Sequence, residues 1–277
     1  MKKRDIKTGK LTTWCPGCFN YNILAGVIDV LEPMINKEEL GLVTGIGCHA
    51  KIYDYLNIDG LNTLHGRTLP ACLGLKIGNP NMKVIGFSGD GDSYSEGISH
   101  VIHAARYNAD INLVVHDNQV FALTTGQPTS TTEPGFVDKT NPEGSKLTPT
   151  NPIKMMLGLN TSFVARAFAE REQVAYVLKE AMKHKGFSFV EIIQPCVIFH
   201  NDKGYLERVY KLEDKGHDRT NKRMAMKRAE EFDYSFNSKS KIPVGVFYQE
   251  ERETFEDKYK ILRDFKRKKI SWKDIKR

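Results

Sequence analysis

The sequence predicts an α/β protein built on a mainly parallel, doubly wound sheet. Short apolar, β-branched runs alternate with longer segments of helical period through most of the chain. The 277 residues, 40% of them apolar, are enough to bury a sizeable core. No internal repeat or low-complexity stretch interrupts the pattern. In chain order, helical period marks 21–31, and the apolar runs 42–44 and 61–64 read as strands. Helix 70–78 leads to strand 83–87, helix 96–107 to strand 111–116, and helix 152–159 to strand 162–167. Helix 172–184 and strand 187–193 complete the series. Such a sheet is covered on both faces, and ligands bind beyond the carboxyl ends of its strands. The loops to inspect are therefore 45–51, 65–69, 88–95, 117–138 and 194–204.

The stretch 124–151 is rich in Gly, Pro, Ser and Thr without a clear period, and a connection that long inside a domain is usually functional or disordered. After about residue 201 the alternation stops. Residues 1–204 read as one domain and 205–277 as a charged extension packed on it or on a partner, with an apolar run at 242–248 and a helix-prone stretch at 259–269.

With 40% apolar and 27% charged residues, wholesale disorder is excluded. No run approaches the roughly 20 apolar residues of a membrane helix. The basic start has no apolar segment behind it, so no secretory signal is expected and the protein reads as cytoplasmic. The net charge of +7 belongs to the ends: residues 1–10 balance at +4 and 251–277 at +5, which leaves the body at −2. That distribution predicts neither nucleic acid nor membrane as a partner. Five cysteines, at 15, 18, 48, 72 and 196, are an odd number for a disulfide framework in such a compartment, and they point to metal binding or chemistry.

The run 83–87 leads into Ser88-Gly89-Asp90-Gly91-Asp92 and then a helix. Glycines on either side of a carboxylate let the backbone turn tightly and approach a ligand. The N–H groups at the following helix start suit a pyrophosphate, and Asp90 is the hard oxygen ligand that Mg²⁺ prefers. The next strand ends in Asp117-Asn118, 28 residues after Asp90. One βαβ step returns that end to the same sheet edge, where Asp90, the Asn118 side chain and a backbone carbonyl just beyond it complete a Mg²⁺–diphosphate site.

Trp14-Cys15-Pro16-Gly17-Cys18 places two thiolates at the spacing of a single chelating loop. Cys48 and Cys196 each lie just past a strand end, so three loops at one sheet edge could unite four thiols. Four thiolates allow a structural zinc or a 4Fe–4S cluster, and composition does not separate these. Cys72, inside an apolar helical pattern, reads as core.

Trp14-Cys15-Pro16-Gly17-Cys18, Gly45-Ile46-Gly47-Cys48, the stretch from His65 to Ala71, Gly89-Asp90-Gly91-Asp92, Asp117-Asn118 and the stretch from Leu123 to Gln127 follow one another in an order that resembles the β subunits of 2-oxoacid:ferredoxin oxidoreductases. The resemblance covers roughly residues 10–205. It implies the thiamine diphosphate-binding, pyrophosphate-type version of the doubly wound fold. It also implies thiamine diphosphate held with Mg²⁺ by Asp90, Asn118 and the Val120 carbonyl, and a 4Fe–4S cluster on Cys15, Cys18, Cys48 and Cys196. Ile46, Gly47, Cys48, His65, Gly89, Gly91, Asp92, Leu123, Thr125 and Gln127 would line the cofactor region, with Lys51, His65 and Arg67 as catalytic groups. Partners implied are an α subunit (as a heterodimer or a dimer of heterodimers), ferredoxin, a 2-oxoacid and coenzyme A. The implied reaction is CoA-dependent oxidative decarboxylation, with one-electron transfer from the thiamine enamine through the cluster. Lys51, able to pair with a distal carboxylate, tilts the substrate from pyruvate towards 2-oxoglutarate. His100 and His103, lacking carboxylate partners, read as packing.

The sequence departs from the family pattern at Phe19, where many relatives have Gly, at Thr125, where some have Lys, and in the stretch 127–132. These departures bear on the substrate more than on the reaction. Two other readings are a cluster-free thiamine decarboxylase or ligase, and a non-catalytic scaffold subunit stabilised by zinc.

Overall fold

Residues 5–34, 40–201, 204–234 and 239–268 are described in a computed structural model of the chain. The apolar runs collect into one sheet because they are buried along both faces. Its strands are β1 (Leu40–Thr44), β2 (Gly60–Asn62), β3 (Lys83–Gly89), β4 (Ile111–Asp117), β7 (Phe163–Phe168), β8 (Ser188–Ile193), β9 (Val209–Lys211) and β10 (Ile242–Gln249), while β5 (Val120–Phe121) and β6 (Gln127–Pro128) form a separate ribbon. The order across the sheet is β2-β1-β3-β4-β8-β7-β10-β9. All neighbours are parallel except β10 against β7.

Residues alternate between the two faces, as strand geometry requires. Leu42, Ile85, Val114 and Val190 join one core, under helices α1 (Asn20–Leu31) and α6 (Arg171–Lys183). Val43, Val84, Leu113 and Phe189 join the other. There α3 (Thr68–Gly78), α4 (Ile98–Tyr107), α5 (Pro152–Gly158) and α8 (Lys222–Ala229) cover the sheet. Short helices α2 (Ile52–Tyr55) and α7 (Tyr205–Arg208) sit in connections, and α9 (Phe255–Lys258) and α10 (Lys260–Lys268) end the described chain. Local signals explain some starts. The Asn151 side chain accepts the Lys154 N–H at 3.0 Å and Pro152 opens α5, the usual chemistry of a helix N-terminus. No helix among the described residues is long and apolar enough to cross a membrane.

Each expected strand and helix of residues 21–193 forms, with ends within two residues. Two features differ from expectation. The helix after the glycine turn is preceded by a π-helical turn, Gly91–Glu96. The segment after 204, expected to pack on the domain, supplies two strands of the sheet itself, and the run 242–248 becomes β10. The extreme ends that carry much of the basic charge, including the last part of the helix-prone stretch 259–269, lie outside the described residues.

A buried ion pair ties this C-terminal segment to the sheet. Arg166 on β7 and Glu191 on β8 are partners in register, and Arg166 Nε donates to Glu191 Oε2 at 2.7 Å. Tyr234, from the C-terminal segment, donates to Glu191 Oε1 at 2.6 Å and accepts from Arg166 Nη2 at 2.9 Å. The rings of Phe232, Tyr234 and Phe247 surround the guanidinium. Removing one member strands a buried charge, whereas replacing the set with apolar groups does not. Arg166→Met should therefore lower unfolding stability by roughly 3–5 kcal/mol. Arg166→Met/Glu191→Leu/Tyr234→Phe should recover most of that loss, as read by denaturant unfolding.

Candidate active site

Parallel strands β1, β3, β4 and β8 end at one edge of the sheet, and the loops that leave them meet there. A hollow of about 70 Å³ lies among these loops, lined by Ile46, Gly47, Cys48, His65, Gly89, Asp90, Gly91, Asp92, Asn118, Val120 and Leu123, all expected from the sequence. His49, Phe121, Ala122 and Thr124 line it as well. Larger hollows, of about 400 Å³ under the N-terminal arm and 250 Å³ beside α6, lie away from these groups.

The two carboxylates of the glycine turn face different partners. Asp90 is buried, and its Oδ2 accepts from Thr129 Oγ1 at 2.5 Å and Thr131 Oγ1 at 3.1 Å. Burial pushes its carboxyl up to about 6, against these hydroxyls and the Asn118 N–H. Asp117 is buried beside it and is pushed well above the usual carboxylate range, first by burial and then by the charges of Asp90 and Glu191. The two buried carboxyls thus oppose each other's ionisation. Asp92 is turned inward. It accepts the Gly66 N–H at 2.6 Å and Ser88 Oγ at 2.6 Å, and it lies 3.5 Å from His49 Nε2 and from His65 Nδ1. Burial raises this carboxyl, but His49, Gly66 and Ser88 together hold it below the usual range.

Glycine is required by close approach at two points. A Cβ on Gly45 would sit 1.8 Å from Asp92 Oδ2, and one on Gly91 would sit 2.2 Å from the Phe121 ring. Past β4, the Val120 N–H donates to Asn118 Oδ1 at 3.0 Å and Gln119 takes a positive φ of 61°. The long loop is pinned rather than loose. Thr131 Oγ1 also donates to Asp117 Oδ1 at 2.8 Å, Gln119 Nε2 donates to the Thr131 carbonyl at 2.8 Å, and Thr132 bonds the Gln119 carbonyl. Glu133 pairs with His200 Nε2 at 2.6 Å.

The cysteine loops converge beside the hollow. Trp14 is buried, its Nε1 donates to the Cys48 carbonyl at 2.7 Å, and its ring packs edge-on against Tyr21 and Tyr55. This tryptophan fastens the Cys15–Cys18 loop to the Cys48 loop. Burial pushes the Cys48 thiol up to about 11; Lys51 opposes this, and Cys18, Cys196 and Cys15 add to it. The same two thiols, Cys15 and Cys196, act on Cys18. Four cysteines therefore lie within electrostatic reach of one another. Among the described residues no three His, Cys, Asp or Glu side chains are grouped to hold a single metal ion. Cys72 is buried in the core away from them.

Other expectations require correction. Lys51 Nζ donates to the Thr13 carbonyl at 3.0 Å, beside the cysteines and outside the hollow. Arg67 Nη1 meets His100 Nε2 at 2.5 Å, on the outer side of the loop. Thr125, with a φ of 79°, and Gln127, held by Thr124 Oγ1 at 2.6 Å, turn beside the hollow without lining it. His100 is Arg67's partner rather than mere packing, while His103 stacks on Tyr107. Residues the sequence reading missed are His49, Thr129, Thr131, Asn20, His116 and Gln194. The run of hydroxyls Thr129-Ser130-Thr131-Thr132 was the available signal, and it folds into a turn that brings Thr129 and Thr131 to one carboxylate.

Residues 45–192 match the family described as thiamine pyrophosphate enzyme, C-terminal TPP binding domain. Residues 196–264 match the family described as the C-terminal part of the pyruvate ferredoxin oxidoreductase beta subunit. The chain is 35% identical over 254 residues to a 2-oxoacid:ferredoxin oxidoreductase subunit beta of Saccharolobus solfataricus, covering 86% of this chain and 82% of the relative. It is 33% identical over 258 residues to a 2-oxoglutarate synthase subunit KorB of Archaeoglobus fulgidus, covering 93% and 92%. Among solved structures, a 2-oxoglutarate:ferredoxin oxidoreductase from Magnetococcus marinus, with 2-oxoglutarate, coenzyme A and succinyl-CoA bound, superposes with a TM-score of 0.86 at 31% identity, covering 97% and 91%.

The raised Asp90 carboxyl gives a signed pH dependence. Its folded value lies above the unfolded one, so its contribution to stability is full below about pH 4 and is lost as pH rises through about 6. A divalent ion needs the ionised form. If Asp90 is a Mg²⁺ ligand, Mg²⁺ affinity should therefore rise about tenfold per pH unit up to about 6 and level off above it. Titration calorimetry from pH 5 to 7.5 reads this, and Asp90→Asn should abolish the trend.

Proposed function

The chain belongs to the β subunits of the 2-oxoacid:ferredoxin oxidoreductase family, and from that premise we propose the following activity. With an α subunit, it carries out CoA-dependent oxidative decarboxylation of a 2-oxoacid, 2-oxoglutarate ahead of pyruvate, and passes electrons singly through a 4Fe–4S cluster to ferredoxin. Thiamine diphosphate is held with Mg²⁺ by Asp90, Asn118 and the Val120 carbonyl, and the cluster by Cys15, Cys18, Cys48 and Cys196. One observation carries the reading. The loop whose Ile46 and Gly47 line the hollow beside Asp90 also carries Cys48, on which three other cysteine thiols act electrostatically.

The residues present fit both groups. Asp90 is a carboxylate able to ionise in a pocket of hydroxyl donors, which suits a hard cation. Four cysteines on three loops suit a polynuclear cluster, whose thiolates stand at its corners rather than in one ion's coordination shell. Thiamine diphosphate supplies a nucleophilic carbon and an electron sink, and the cluster supplies one-electron storage at low potential.

The chain's own residues bind, orient and shield. Thr129 and Thr131 keep Asp90 aimed between the β3 and β4 loops. Asp92 anchors the 65–68 loop through Gly66 and lies 3.5 Å from His65 Nδ1, which places the His65 ring at the hollow. Ile46 and Leu123 line the hollow and are themselves exposed, and Leu64 nearby is 78% exposed. An apolar rim around half a site is what a partner subunit would cover. The 2-oxoglutarate preference is supported by the relatives named for 2-oxoglutarate, and Lys51, on the cysteine side of the hollow, remains a proposed partner for a distal carboxylate.

Anaerobic purification should yield about four iron and four acid-labile sulfide per chain. Zinc, or no metal, would move the reading to a thiamine enzyme without electron transfer. Asp90→Ala should abolish Mg²⁺-dependent cofactor binding and keep the iron, and Cys18→Ala should do the reverse. The chain alone should turn over no substrate. With its α partner, kcat/KM for 2-oxoglutarate should exceed that for pyruvate by at least about tenfold, equivalent to 1.4 kcal/mol.

A further inference from the structure

Cys18 stands apart from the other three clustered cysteines in what surrounds its sulfur. Asn20 Nδ2 lies 3.5 Å from Cys18 Sγ and Gln194 Nε2 lies 3.9 Å from it. The Asn20 backbone N–H donates to the same sulfur. Cys196 receives a backbone donor, the Phe199 N–H, at 3.4 Å. Asn20 and Gln194 are 1% and 2% exposed, so their amides do not exchange these contacts for water.

The position of Asn20 has no local explanation. An Asn at a helix start ordinarily caps the helix through its side-chain oxygen. Here Phe19 is the cap residue and no side-chain capping bond forms, although Asn20 opens α1. Its side-chain oxygen instead meets His116 Nδ1 at 2.9 Å. A proton on His116 Nδ1 makes that oxygen the acceptor and turns the amide N–H₂ to the sulfur. Gln194 is held by the sheet, since its backbone N–H donates to the Asp117 carbonyl at 2.8 Å and extends the pairing of β8 with β4, and its side chain also acts on His116. Strand ends on the sheet thus hold both amides.

We infer that Asn20, oriented by His116 and assisted by Gln194, is a positioning residue that sets the reduction potential of the cluster by hydrogen-bonding its Cys18 ligand. This rests on the cluster assignment proposed above. One electron enters the cluster on reduction, and the added negative charge spreads onto the thiolate sulfurs. Donors aimed at a sulfur favour that more negative state and raise the potential. Removing them lowers it. Phe19, next to Cys18, packs edge-on against Phe168 and joins the apolar surroundings of this side, where an amide dipole acts at low dielectric.

The test uses the full chain, loaded anaerobically with iron and sulfide. Asn20→Leu removes the donor at similar volume, and Asn20→Asp replaces it with a carboxylate of the same shape. Potentiometric titration followed by electron paramagnetic resonance should show about a tenfold shift of the equilibrium towards the oxidised cluster for Asn20→Leu, which is 59 mV for one electron. Asn20→Asp should shift it further in the same direction, with altered g-values and wild-type iron content in both. A merely structural role would not produce that order. Potentials within twofold of wild type in variants that keep their iron would overturn the inference. If Asn20→Leu fails to hold iron, Gln194→Leu decides the matter: a smaller shift in the same direction supports the inference and none overturns it. A wild-type chain that takes up no iron would instead refute the cluster assignment itself.

Discussion

Parallel pairing of β1, β3, β4 and β8 is the constraint on which the chemistry depends. Parallel strands share a direction, so the loops that follow them emerge at one edge, whatever their separation in sequence. The Cys48 loop, the Gly-Asp-Gly turn, the Asp117-Asn118 corner and the Cys196 loop each follow one of these four strands. A single register slip would rotate every side chain at such a strand end to the opposite face. The two apolar cores make that slip costly, since each strand is buried on both sides.

On that edge, two carboxylates two residues apart divide the work. The π-helical turn after Asp90 sends Asp90 towards the hydroxyls of the long loop and Asp92 back towards Gly66 and Ser88. Asp92 is satisfied by the protein and holds the 65–68 loop in place. Asp90 is held by hydroxyls of the long loop and by the Asn118 N–H. The long loop thus serves the site from outside the sheet, and Glu133 with His200 connects it to the loop of Cys196.

Much of this was legible in the sequence because the determinants are local. Apolar runs and helical periods set the elements from 21 to 193, and glycine beside carboxylate, or cysteine beside glycine, marked the loops that matter. What escaped was set by tertiary partners. Thr129 and Thr131 reach Asp90 from 39 and 41 residues away, out of a loop that shows no period. Asn20 and His116 look like a helix start and a strand residue until α1 meets the end of β4. Lys51 and Arg67 were placed in the right loops, but the partners of these long side chains, Thr13 and His100, are not revealed by the sequence. The strand β10 was visible as an apolar run, yet its antiparallel place beside β7 follows from the buried Arg166, Glu191 and Tyr234 contacts.

The exposed rim of the hollow has a consequence for molecular discrimination. Ile46, Leu64 and Leu123 present apolar side chains to water beside it. On the proposed function, a partner that covers this rim would supply the wall that reads the cofactor's head group, so selectivity would belong to the assembled subunits and not to this chain alone.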